Sequence, residues 1–182
     1  MRKKVLVFLC SLLFSAGVFA QELPVNSSTG KVTFMEVVDA KNMKADDLYK
    51  VLTEWCIAQG FVPTKKDDAA QEAVFTGLVP VEYPSIRPGK NDKGKVTFTM
   101  SIFGKNDKYR YILTDFVHEG IDGAGNGGKL ENQQPDCGKG GMGPGNWVYI
   151  KNKVKGQSII WVRELKKHVT QVQNDPAKNK DW

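Results

Sequence analysis

The chain has 182 residues, 26 of them basic and 20 acidic, for a net charge of +6, and 41% are hydrophobic. That is one domain's worth of residues, enough to bury a real core. Arg2, Lys3 and Lys4 supply part of the charge; without them the balance is 23 against 20, too mild and too dispersed for a nucleic-acid partner.

Residues 1–20 read as a secretory signal. Three basic residues precede the apolar run Val5 to Phe14, and small residues lead to a cleavage site before Gln21. The run is shorter than the ~20 residues that span a bilayer, so no transmembrane segment remains after cleavage. Cys10 lies inside the apolar run, which argues against its being a lipoprotein cysteine. An exported protein, periplasmic or secreted, is expected.

Residues 21–30 are polar and read as a linker. From Lys31 to Val38 a strand is predicted, with Val32, Phe34 and Val38 on one side and Thr33, Met35 and Val37 on the other; apolar groups on both sides predict burial on both. Asn42 to Gly60 reads as a helix. Leu48, Val51, Leu52 and Trp55 form its stripe, Asp46 and Asp47 favour its start, and Gly60 suits its end. Lys65 to Gln71 reads as a charged turn. Glu72 to Tyr83 reads as a strand bent at Gly77 and ended by Pro80 or Pro84, and Ser85 to Gly94 as a polar loop.

Lys95 to His118 is a hairpin around which the chain is organised. Val96, Phe98, Met100 and Ile102 alternate with Thr97, Thr99, Ser101 and Phe103, and Gly104, Asn106 and Asp107 supply the turn. In the second strand Tyr109 and Tyr111 share a face and Arg110 takes the other. The tyrosines are core if they meet the helices and a sticky surface if they meet solvent.

Residues 119–146 hold ten of the eighteen glycines and almost no apolar residues, and a floppy insertion is expected. Trp147 to Ile150 suits a short strand or a helix start. Gln157 to Gln173 reads as a helix with Trp161, Leu165, His168, Val169 and Val172 on one stripe, and residues 174–182 as a polar tail with Pro176 as a stop.

No motif carries recognisable chemistry. Gly123, Gly125 and Gly128 match G-x-G-x-x-G by letter, without the strand–turn–helix context that seats a pyrophosphate. A calcium loop from Asp122 lacks the carboxylate at its twelfth position, Gln133. His118-Glu119 opens like a zinc-protease motif, but Asp122 stands where the second histidine belongs, and only His168 remains elsewhere. Cys137 has no evident base, and Glu36, Asp39, Glu82 and Asp115 form no distinguishable pair. No cofactor or metal is expected. Cys56 and Cys137 are a candidate disulfide in an exported chain, with two free thiols as the alternative.

The strand Phe34 to Val38, the helix opening at Asp47-Leu48-Tyr49 with Trp55, the strand VTFTMSI followed by Tyr109-Arg110-Tyr111, and the closing helix form a set. Together they resemble a family of exported bacterial domains of unknown function with a TATA-binding-protein-like (TBP-like) fold. The resemblance implies an α+β domain over residues 31–173: a curved antiparallel sheet, in strand–helix–multistrand–helix order, with two helices on one face. It implies no catalytic residues. Thr97, Thr99 and Ser101 would then line the open sheet face. The expected function is a non-catalytic binding module for a protein or polymer of the cell envelope, and the alternative is a hydrolase whose site the sequence does not reveal.

Overall fold

The computed structural model describes residues 23–175; residues 1–22, with the expected signal segment 1–20 and Cys10, and the tail from Pro176 onward lie outside the described residues. The elements are β1 (Phe34–Asp39), α1 (Ala45–Ala58), β2 (Val62–Asp67), β3 (Glu72–Pro84), β4 (Asn91–Lys105), β5 (Lys108–Ile121), β6 (Gly128–Lys129), α2 (Gly138–Gly141) and α3 (Pro144–Gln173). The strands form one antiparallel sheet in the order β1-β5-β4-β3-β2, and β6 adds two residues beside β5. Both long helices pack on one face, which gives the expected α+β architecture.

The alternation in β4 puts Val96, Phe98, Met100 and Ile102 into the core. Phe98 is its centre. Its ring lies 5.4 Å from Phe61, 5.0 Å from Trp161 and 5.4 Å from Phe116. Gly77 on β3 makes room for it, since a Cβ there would sit 2.1 Å from the Phe98 ring. Tyr109 and Tyr111 also face the helices and are buried, which decides between their two readings.

Opposite Phe98, β5 holds one extra residue, and the β4–β5 register shifts between Thr97 and Thr99. Asp115 adopts a φ of 56° there. The bulge exchanges the inward parity: Tyr109, Tyr111 and Leu113 point in before it, Phe116 and His118 after it.

The α1 stripe is buried as expected, with Cys56 beside it, and Gly60 has a φ of 79° at the helix end. No side chain of Lys44 caps the helix start. The β4–β5 turn does so: Asn106 Oδ1 accepts from Ala45 N–H at 2.9 Å, and Asp107 Oδ1 from Asn42 N–H at 2.7 Å.

Several boundaries differ from expectation. Residues 62–67, read in part as a turn, form an edge strand whose side chains are mostly exposed, so no alternation marked it. Burial on both sides of β1 is not observed, because Met35 and Val37 are exposed at the other edge. The linker residues from Leu23 fold back, with Val25 bridging Val32 and Thr33 N–H bonding Pro24 O at 2.8 Å. Pro80 lies inside β3, where β2 has already ended and an N–H is not required. The second long helix starts at Pro144 rather than near 157, since Trp147, Ile150 and Val154 already occupy the buried stripe.

Asn106→Ala is expected to lower the unfolding free energy by about 1 kcal/mol, the usual cost of a lost N-cap. The check is the urea midpoint at unchanged slope; an unmoved midpoint would remove the turn as the helix cap.

Candidate functional site

The face of the sheet away from the helices has no described element over it. Thr97, Thr99 and Ser101 stand on it, all half-buried. Thr97 lies between Leu78 and Val117, Thr99 between Thr76 and Thr114, and Ser101 between Val74 and Ile112. Pairing with β1 adds Met35 beside Ile112 and Val37 beside Arg110. A threonine row, Thr76, Thr99 and Thr114, crosses the face and is closed at its end by Thr33, whose hydroxyl lies 3.3 Å from that of Thr114. Aliphatic groups flank it on both sides, Val74, Ile112, Met35 and Val37 on one and Leu78 and Val117 on the other.

Met35 is 53% exposed, Val37 58%, Leu78 48% and Val62 62%, although each lies in or beside a well-paired strand. Arg110 covers the Phe103 ring at 4.2 Å. Charges of both signs interleave, as in the 3.0 Å pair of Lys95 with Glu119. Hydroxyls, aliphatic groups and mixed charge suit contact with a surface; nothing in the set activates a bond. The sequence marked the three β4 positions, but their neighbours required the strand order, which no local period carries.

The glycine-rich segment is folded, contrary to expectation. Leu130 and Met142 are buried, Leu130 N–H bonds Phe116 O at 3.0 Å, and Trp147 Nε1 bonds Asn132 O at 3.0 Å. The segment is latched by His118, which is fully buried inside β5 rather than at its end. Its Nδ1 accepts Gly127 N–H at 2.9 Å, so the ring is neutral with its proton on Nε2. Nε2 packs against Gly94 without a hydrogen-bond partner. Burial lowers the His118 pKa, and the Glu119 carboxylate offsets this only in part.

The candidate disulfide is not formed: Cys56 and Cys137 are free. Cys56 is on the buried side of α1, whereas Cys137 precedes α2 and packs against Gly125 and Gly141. Burial pushes Cys56 up to about 12, and it also raises Cys137, with Asp136 adding to the effect. Neither thiol is poised as a thiolate nucleophile. Among the described residues no three His, Cys, Asp or Glu side chains gather as a metal site. A polar cleft of about 470 Å³ between the start of α1 and the end of α3 is lined by Lys41, Asp47, Lys50 and Glu54. No described helix is long and apolar enough to cross a membrane.

Residues 34–119 match the model of a domain of unknown function, DUF4468, with TBP-like fold. A TBP-like protein from Parabacteroides distasonis is similar in structure, with a TM-score of 0.59 at 13% identity, covering 81% of this chain and 97% of that one. A DUF4468 family protein from Bacteroides ovatus gives 0.54 at 14%, covering 84% and 91%. No curated protein matches in sequence. At such identities the likeness is one of fold.

His118 makes stability depend on pH with a definite sign. Above the ordinary histidine pKa of about 6.5 the ring is neutral in both states. Below it the unfolded chain binds a proton that the folded chain refuses, so stability falls as pH falls. Melting temperature should drop between pH 7.5 and 5, and His118→Gln, whose amide oxygen can still accept Gly127 N–H, should flatten that drop. Equal slopes in both proteins would exclude His118 as its source.

Proposed function

Since this chain belongs, through residues 34–119, to the DUF4468 family with TBP-like fold, we propose that it is a non-catalytic binding module whose open sheet face holds a protein of the cell envelope. The observation carrying this reading is the paired, uncovered face with aliphatic groups on both sides of the threonine row, Met35, Val37, Val74 and Ile112 on one and Leu78 on the other. Aliphatic groups interleaved with hydroxyls and mixed charge match a protein surface. A polyanion would call for clustered Lys and Arg.

Export rests on the basic, apolar and small-residue order of residues 1–20. The non-catalytic reading is supported by the groups that burial shifts. Cys56 is held as a thiol and His118 as a neutral ring in the core, and each loses catalytic value there. The fold's likeness to TBP contributes geometry only, because function lies in sites.

The test uses residues 21–182 immobilised against native envelope extract, with mass spectrometry of what is retained. The variant combines Leu78→Asp with alanine at positions 97, 99 and 101; the control is Glu164→Lys on the exposed side of α3. A protein partner should bind the variant at least tenfold more weakly, at an unchanged melting temperature, and bind the control normally. A tenfold loss corresponds to about 1.4 kcal/mol, within reach of a modest hot spot. Retention unaffected by the face variant would remove the face; retention of a glycan alone would replace protein with polymer.

A further inference from the structure

A sheet that stops in solvent must protect its edges, and this one does so unevenly. The β2 edge carries Pro63, a register shift between Pro63 and Lys65, and the charged Lys65 and Lys66. Past Thr76 the outer side of β3 is interrupted by Pro80 and Pro84. β1, with the sequence FMEVVD, has no proline, no lysine and no bulge against β5.

The main chain of β1 also has a definite direction. Ala40 N–H turns inward to Asp107 O at 2.7 Å, while Thr33 N–H turns outward to Pro24 O. By alternation the N–H and C=O groups of Met35, Val37 and Asp39 point outward. Among the described residues nothing pairs with them, whereas Val25 already bridges Val32 beside them. Among the described residues that edge takes one bridge, at Val32, and no further one.

Next to it, between β1 and α3, runs a groove of about 470 Å³. Phe34, Met35, Ile159 and Val162 give it apolar walls, and Arg163 and Lys166 stand at its rim. Lys166 is held by Glu36, whose carboxyl is lowered in pKa chiefly by that contact. Arg163 has no ion-pair partner among the described residues, so the rim offers one unused positive charge.

We propose that the outer edge of β1 is a strand-addition site for an extended segment of another protein. Its main chain pairs with Met35, Val37 and Asp39, one apolar side chain enters the groove, and a carboxylate two residues along meets Arg163. Side chains two apart on a strand share a face, so the groove and the guanidinium read one side of the incoming segment. A second copy of this chain is the competing occupant. Pairing Met35 with Val37 sets the two Glu36 carboxylates opposite each other, which is unfavourable, whereas pairing Val37 with Val37 avoids this, so concentration dependence must separate a second copy from another protein. This site stands whether or not the open sheet face binds.

The experiment is selection of a random peptide display library on immobilised residues 21–182, followed by amide hydrogen exchange with the enriched peptides. Enriched sequences should share an apolar residue two positions from an acidic one and should protect the Met35 and Val37 amides. Arg163→Glu should weaken them at least tenfold without moving the melting temperature, and Val37→Pro, which removes an outward N–H, should abolish binding. Should Val37→Pro fail to fold, Arg163→Glu and Ile159→Asp carry the test. The proposal is overturned by a library with no enrichment, by peptides that bind these variants unchanged, or by protection elsewhere. Concentration-dependent protection of Met35 and Val37 without peptide would give the edge to a second copy and overturn it equally.

Discussion

The Phe98 ring over Gly77 is the contact on which the rest of the structure depends. Phe61, just beyond α1, meets that ring edge-on, and Trp161 of α3 lies against it at 5.0 Å. Phe116 stacks on it only because β5 bulges opposite. A side chain at position 77 would occupy the space of the ring, and both helices would lose their common seat. Aromatic burial of this size dominates the energetics of a small core. It also draws the long helices to one face.

The bulge that seats Phe116 has a second effect. By exchanging parity within β5 it turns His118 inward, where Nδ1 can hold Gly127 and the segment behind it. Tyr83 and Trp147 then flank the imidazole, with ring centroids at 5.8 and 6.1 Å. Gly127 is required there because a Cβ would lie 2.3 Å from the Trp147 ring. One inserted residue therefore links the hydrophobic centre to the order of the glycine-rich segment.

How far the fold could be read in the sequence follows from which features are local. Period two in residues 96–103 and the stripe Leu48, Val51, Leu52 and Trp55 are local, and both hold. The order of these elements carried the resemblance to a TBP-like domain as well. β2 escaped because an edge strand pairs through its backbone while its side chains stay in water. The first half of α3 escaped because Lys151 to Gln157 is polar with Gly156 inside it, although Val154 and Ser158 keep the stripe. The glycine-rich segment looked empty because its glycines mark close approach to Cys137, Trp147 and Asp136. At the candidate face the three β4 residues were legible from alternation. The aliphatic neighbours come from β1, β3 and β5, placements that only tertiary pairing specifies.

The exposed aliphatic groups of the sheet are not needed to build the domain. Met35, Val37, Val62 and Leu78 leave about half or more of their area in water, so folding recovers only a fraction of the ~1.5–3 kcal/mol that full burial of such a side chain gives. Threonine at these positions would pair as well in a strand, with less apolar surface exposed. At the same time β2 and the outer end of β3 carry prolines and lysines that oppose edge pairing. Protection is thus present at one side of the sheet and missing from the face and the β1 edge. Aliphatic groups that the core does not require, beside a strand edge left unguarded, are not explained by the stability of the fold, and it is on them that the proposed contacts rest.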